Sequence, residues 1–325
     1  MKVLAADLGG TKALLGVAEV GERTPQFLFT QHLVCAGHTS CERLLAHFCA
    51  AAGDALQGVE AACLALAGPI SADGRQARFT NLPWCADAAS LERTIGAPVR
   101  LVNDFSAVAA GVMATDNLLC LQPGEADAAG VRLAIGAGTG LGVAAMVGRG
   151  DDLRILASEG GHVGFAAATP LQDDFAVWLR RTHERATAER AISGNGLVNL
   201  YRFMAAAGAA DQPNPLDASD IAAAIGARAL ADADSLARRV VDEFFACYGA
   251  FAGDMAMTFM ARGGVFLAGG VTQKLASLLP GSRFLEQFNA KAEHAALVRR
   301  LPVHVVGDPD VGLVGAACLA LQGDL

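Results

Sequence analysis

No run of lysine or arginine occurs in the 325 residues, and acidic side chains outnumber basic ones by 33 to 25, for a net charge of −8. Polyanionic partners are recruited by clustered positive charge. No nucleic-acid partner and no membrane partner is therefore expected. There is no Cys-x-x-Cys pair. The eight cysteines, at positions 35, 41, 49, 63, 85, 120, 247 and 318, are scattered. They read as reduced thiols, mostly core, in a cytoplasmic protein. No metal-ligand spacing is present, and the seven histidines do not pair. Asp7 breaks the first apolar run too early for a signal peptide. The conspicuous uncharged stretch 133–148 is shorter than a bilayer span and carries five glycines. The Walker A spacing is absent too, since Gly-Lys-Ser/Thr occurs nowhere. A Rossmann fingerprint would need glycine where Leu141 or Val143 stands.

What the chain does have is apolar material and glycine. Hydrophobic residues make up 53% of it, and the mean hydropathy is +0.37. This length is long for one core and natural for two. The 37 glycines exceed ordinary usage, and many are clustered, which suggests ligand loops.

Hydrophobic patterning places strands over 2–7, 13–20 and 26–34, with Leu8-Gly9-Gly10-Thr11-Lys12 as a tight turn between the first two. A helix over 41–56 and a strand over 61–67 follow. Gly68-Pro69 and a polar loop with Asn81 lead to the run Pro98–Val102, which ends abruptly in Asn103-Asp104 before a small-residue helix. Near Val131 a second cycle begins. Strands at 132–135, 143–147 and 153–157 surround a second turn, Gly136–Gly142. Strand, glycine turn, strand, strand thus recurs about 130 positions later, an internal duplication of architecture in which the residues barely repeat. Helices are expected over 171–191 and over 221–260, the latter broken near Gly249–Gly253. A strand at 264–268 runs into Gly269-Gly270. After a last strand at 302–306, Asp308-Pro309-Asp310 caps a final helix through Leu321.

Backbone amides approach phosphate oxygens closely only where side chains do not intervene. Asp7 through Lys12 is such a loop, with a carboxylate at its mouth suited to a hydrated Mg²⁺, and Gly136–Gly142 is a second. Each alone also fits an ordinary glycine hairpin; their recurrence at equivalent places favours phosphate binding. Asp104, at the C-terminal end of a buried strand, fits either a helix cap or a general base.

The order of Asp7-Leu8-Gly9-Gly10-Thr11, Asn103-Asp104, Gly136–Gly142 and Gly269-Gly270 resembles that of sugar kinases of the actin-like ATPase superfamily. More closely, Val102–Phe105, Gly138–Gly142, Glu159-Gly160-Gly161-His162-Val163 and Glu189–Tyr201 resemble the blocks of the bacterial glucokinase family. The resemblance runs from Asp7 to the C-terminal helix. It implies an α/β, two-domain actin-like ATPase (ribonuclease H-like) fold with a central cleft. A small domain of residues 1–112 plus 308–325 and a large domain of 113–307 are expected. The implied activity is ATP-dependent phosphorylation of glucose at O6, with ATP and Mg²⁺ as cofactors, in a homodimer. Asp104 would be the base, and Asn103, Asp104, Glu159, His162 and Glu189 would bind the sugar, with Asn81 and Gly68 shaping its site. Asp7 would act on the Mg²⁺ side, through water. Gly9, Gly10, Thr11, Lys12, Gly138 and Thr139 would meet the phosphates, and Gly269 and Gly270 the adenosine. Kinases for another hexose or an N-acetylated amino sugar, and a non-catalytic sugar-binding regulator, are the alternatives. No helix-turn-helix domain is expected before the Asp7 loop, which counts against the regulator.

Two positions depart from the pattern. Lys12 stands where this group has Asn, and either reaches a phosphate or points to solvent. Val163-Gly164-Phe165 follows His162 without the cysteine-rich zinc motif of the related repressor/kinase family, so zinc is not expected.

Overall fold

The first strand, β1, spans Lys2–Leu8, and its alternation decides what covers the first sheet. Leu4, Ala6 and Leu8 join one buried cluster, while Val3 and Ala5 join another. Successive strand side chains point to opposite faces, so Asp7 shares the face of Val3 and Ala5. The protein is described here by a computed structural model covering residues 1–21, 24–149, 152–208 and 210–321.

After β1 come β2 (Lys12–Glu19), β3 (Gln26–Val34), α1 (Cys41–Ala52), β4 (Val59–Leu66), β5 (Gln76–Arg78), β6 (Cys85–Asp87), α2 (Ala88–Ile95), β7 (Val99–Asn103) and α3 (Asp104–Val112). The first sheet runs β3-β2-β1-β4-β7. Its β1/β2 and β2/β3 pairs are antiparallel, and β1/β4 and β4/β7 are parallel. The chain continues through β8 (Leu118–Gln122), β9 (Arg132–Ala137), β10 (Leu141–Val147), β11 (Arg154–Ser158), α4 (Pro170–His183), α5 (Ala188–Ala191), α6 (Gly194–Ala206), α7 (Ile221–Ala231) and α8 (Leu236–Thr258). Then follow β12 (Gly264–Ala268), α9 (Gly270–Lys274), α10 (Phe284–Asn289), α11 (Ala295–Val298), β13 (Val303–Val306) and α12 (Val311–Leu319). The second sheet runs β11-β10-β9-β12-β13-β8. Apart from β8, this repeats the first order strand for strand, with β9/β10 antiparallel and β9/β12 and β12/β13 parallel. The duplication expected from the two glycine turns is thus present in the topology, which is that of the actin-like ATPase fold.

Two compact units result. One comprises Met1–Asn117, Arg149–Ala157 and Asp308–Leu325; the other comprises Leu118–Gly148 and Ser158–Gly307. In the first unit, α1 and α2 contribute Leu44, Leu45, Phe48 and Leu91 to the cluster on one face of the sheet. On the opposite face, α3 and α12 contribute Ala107, Ala110, Leu313, Ala316 and Ala317. Small residues let these two helices approach. A Cβ on Gly111 would lie 2.0 Å from the Val311 carbonyl oxygen, and one on Gly315 would lie 1.7 Å from that of Ala107. In the second unit, β9, β10, β12 and β13 present Leu133, Ile135, Val143, Val265, Leu267, Val303 and Val305 to a core that includes Phe244, Phe245 and Tyr248 of α8.

Several local expectations change. The helix expected over 171–191 is two: α4 ends at His183, Glu184 takes φ +64°, and α5 starts at Ala188. The helix expected to break near Gly249–Gly253 runs through both, and the break falls instead between α7 and α8. Those glycines are crossing points, since a Cβ at Gly249 would meet the Phe284 carbonyl oxygen at 2.0 Å and one at Gly253 that of Phe288 at 2.4 Å. His38 and His47 do pair, Nε2 to Nδ1 at 2.9 Å. Six cysteines are buried or half-buried, whereas Cys85 and Cys120 are exposed. No helix among the described residues is long and apolar enough to cross a membrane.

Candidate active site

Three residues, Gly9-Gly10-Thr11, connect β1 to β2, and Leu8 pairs with Ala13 across the turn. The Gly9 amide donates to the Lys12 carbonyl at 3.0 Å. Glycine is required at position 10 because a Cβ there would lie 2.8 Å from the Cβ of Asn81. Asn81 thus backs the turn. Its loop is fixed by Gly68, where a Cβ would lie 2.1 Å from the Arg78 carbonyl oxygen, and by the Thr80 amide donating to Ala67 at 3.0 Å. Thr11 and Lys12 are exposed. One support was not visible in the sequence. The Cys35 amide donates to the Thr11 carbonyl at 3.0 Å, and its thiol to the Gly9 carbonyl at 3.4 Å. The available signal was that β3 ends next to the start of β2.

At the end of β7, Asn103 and Asp104 divide the local roles differently from the cap-or-base choice posed for Asp104. Asn103 is the N-cap of α3, its Oδ1 accepting from the Phe105 amide at 3.0 Å and from that of Ser106 at 3.3 Å. Such a cap contributes about 1 kcal/mol. Asp104 is the first helical residue, and its Oδ1 accepts from the Phe105 amide at 2.8 Å. One oxygen is thus fixed to the backbone at the positive end of a helix, which orients the carboxylate.

Asp7 lies on the face of the first sheet covered by α3 and α12. Its carboxyl is pushed up from 3.8 to about 7, first by burial and then by the negative charges of Asp104 and Asp310. Asp310 is the other residue that sequence reasoning assigned differently. It stands at the N-cap position of α12 but makes no side-chain cap bond, while Asp308 Oδ1 accepts from the Asp310 amide at 2.9 Å. Gly312, in the first turn of α12, leaves room for Asp7, since a Cβ there would lie 2.6 Å from Asp7 Oδ2.

In the second unit, Gly138-Thr139-Gly140 makes the equivalent three-residue connection between β9 and β10, with Thr139 exposed. A Cβ on Gly138 would have the Gly270 amide as its nearest neighbour, at 4.0 Å, so this turn and Gly269-Gly270 form one surface. Gly269 takes φ +93°, and a Cβ there would lie 2.4 Å from the Ala137 carbonyl oxygen. Only glycine suits both the conformation and the spacing. Gly270 opens α9 with nothing beside its Cβ position.

Glu159, His162 and Glu189 converge. His162 Nε2 lies 3.7 Å from Glu159 Oε2, and its Nδ1 lies 3.9 Å from Glu189 Oε1. The Glu159 and His162 side chains are largely exposed, at 85% and 57%, so they are available to a ligand. Glu189 is more enclosed, and its Oε2 accepts from the Leu141 amide at 2.9 Å. Carboxylates and an imidazole offering several donors and acceptors suit a polyhydroxylated ligand. No group of three or more His, Cys, Asp or Glu among the described residues could by itself hold a metal ion.

The glucokinase family model matches residues 4–323. The glucokinase of Trichormus variabilis is 31% identical over 346 residues, covering 98% of this chain and 99% of that relative. That of Pseudomonas paraeruginosa is 35% identical, covering 98% and 92%. The crystal structure of a glucokinase from an Antarctic psychrotroph superposes with a TM-score of 0.83 at 28% identity, covering 99% of each chain. With the family model spanning nearly the whole sequence and relatives above 30% identity along its full length, the chain belongs to the glucokinase family.

Proposed function

We propose that this protein transfers the γ-phosphoryl group of ATP to O6 of glucose, with Asp104 as the general base. The glucose 6-hydroxyl oxygen attacks the γ-phosphorus, the bond from that phosphorus to the ADP oxygen breaks, and the hydroxyl proton passes to the Asp104 carboxylate. The observation that carries this reading is the setting of Asp104. One of its oxygens is held by the Phe105 amide, on a residue whose charge reaches Asp7 beside the first glycine turn. Membership of the glucokinase family supports the reaction and the use of ATP.

Glu159, His162 and Glu189 bind sugar hydroxyls in this reading, together with the side-chain amide of Asn103, whose oxygen is occupied by the helix cap. Asn81 and Gly68 act indirectly, by shaping the loop behind Gly10. Gly9, Gly10, Thr11, Lys12, Gly138 and Thr139 face phosphates, and Gly269-Gly270 leaves room for the nucleoside. Mg²⁺ fits the Asp7 carboxylate, a hard oxygen donor burdened by two like charges. When bound, it neutralises charge on the β- and γ-phosphates. The remaining expectations, a homodimer and a cytoplasmic location, belong to the same proposal.

A coupled ADP-release assay over glucose, fructose, mannose and N-acetylated amino sugars tests it, with the highest kcat/KM expected for glucose. Asp104→Ala is expected to lower kcat by about 10²–10⁴-fold, with a much smaller loss of calorimetric glucose affinity. An Asp104→Ala enzyme at full activity removes Asp104 from the mechanism.

A further inference from the structure

The second glycine turn is tied at three points to the segments that carry the residues assigned to the sugar. The Leu141 amide donates to Glu189 Oε2 at 2.9 Å. The Leu141 carbonyl packs on Gly161, where a Cβ would lie 2.1 Å from its oxygen. The Gly138 carbonyl accepts from the Gly194 amide at 2.8 Å, five residues beyond Glu189. Glu189 is itself anchored, its carbonyl accepting from Ser193 Oγ at 2.7 Å. Gly140 completes the contact, because a Cβ there would lie 2.6 Å from Glu189 Oε2 and 3.4 Å from its carboxyl carbon.

We propose that Glu189 has two roles through its two oxygens. Oε1, on the His162 side, serves the sugar, and Oε2 holds the phosphate-binding turn, so that sugar and nucleotide affinities are coupled through this one carboxylate. This rests on the assignment of Glu189 to the sugar and of Gly138–Gly142 to phosphate. Oε2 bonds the turn's backbone and not a substrate, so for the nucleotide Glu189 is a positioning residue. The carboxylate is one planar group, so a sugar that fixes Oε1 also fixes Oε2, and with it the Leu141 amide and the turn. A nucleotide that orders the turn returns the same coupling free energy to the sugar, because linkage is reciprocal. Gly140 is required in this arrangement by contact with a side chain, since any Cβ would push Oε2 off the Leu141 amide.

The readout that separates this from a plain sugar contact is nucleotide affinity measured without sugar. Binding of the non-hydrolysable analogue AMPPNP to the full chain, by calorimetry with Mg²⁺ present, is expected to weaken about 10-fold in Glu189→Ala. Glu189→Gln keeps an acceptor for the Leu141 amide, so its AMPPNP affinity should stay close to wild type while its glucose affinity falls. In the wild type, glucose should tighten AMPPNP binding several-fold, and AMPPNP should tighten glucose by the same factor; in Glu189→Ala that factor should approach one. Gly140→Ala gives an independent check. It should weaken AMPPNP alone, and adding Glu189→Ala to it should cost little more, because both act on one contact. Unchanged AMPPNP affinity in Glu189→Ala, or full additivity of the pair, overturns the proposal and leaves the kinase reading intact. A wild-type protein that releases no ADP with any sugar overturns the kinase reading instead.

Discussion

Asp7 is a carboxylate that the fold holds at a cost in the absence of ligand. Its folded pKa is about 7 against an ordinary 3.8. Between those values the folded chain retains a proton that the unfolded chain has released, so this group's contribution to stability declines as pH rises from about 4 to about 7. Urea unfolding of the ligand-free protein should show this as a lower midpoint near pH 8 than near pH 6. Asp7→Asn should flatten that difference, and a variant with the wild-type slope would show that the proton sits elsewhere. Much at this scale was legible. Asp7, Asp104 and the two glycine turns stand at strand ends, where residue type and position identify them together. Asp310, Gly312 and Cys35 were not legible, because each acts on a residue distant in sequence, and nothing local to Gly312 points to Asp7. Asn103 was read as a sugar ligand, yet its oxygen serves the helix, a division that only the hydrogen bonds reveal.

Among the elements, the α3/α12 contact sets the tightest requirement. Gly111 faces the Val311 carbonyl and Gly315 the Ala107 carbonyl, so each helix supplies the gap that the other's backbone fills. Gly315→Ala would place a methyl 1.7 Å from an oxygen and force the helices apart. A loss of about 1–3 kcal/mol or more is expected, measurable as a reduced denaturation midpoint. Gly111→Ala should act similarly, and the pair should be less than additive, because the first methyl already creates the space used by the second. The same physics explains why the strands were read more securely than the helix boundaries. Period-two patterning and glycine turns are local signals. The glycines of α8 looked like breaks because a glycine at a helix crossing and a glycine at a helix end are identical in sequence. The strand β8 gave no pattern to read, since its apolar residues Leu118–Leu121 do not alternate with polar ones.

At the scale of the whole molecule, the duplicated sheet order separates the assigned groups into two sets. The proposed base Asp104, the Asp7 carboxylate and the first turn belong to one unit; Glu159, His162 and Glu189, proposed to face the sugar, and the second turn belong to the other. The first unit is discontinuous in sequence, because α12 comes from after Gly307 and covers Val3, Ala5, Cys63 and Ala65. A chain ending at Gly307 should therefore lose amide-exchange protection in β1 and β4 while β9 and β12 keep theirs. Equal protection in both sheets would show that α12 is dispensable.

That discontinuity has a consequence for synthesis. The turn that grips phosphate in the proposed reaction leaves the ribosome first, and the helix that encloses its carboxylate leaves after the entire second unit. Until then Asp7 has neither Gly312 nor Asp310 beside it, and the apolar face intended for α12 is open to solvent or to a chaperone. A stalled or clipped chain thus contains every group assigned to the chemistry except the helix behind Asp7. Completion of the first unit therefore waits on the final helix.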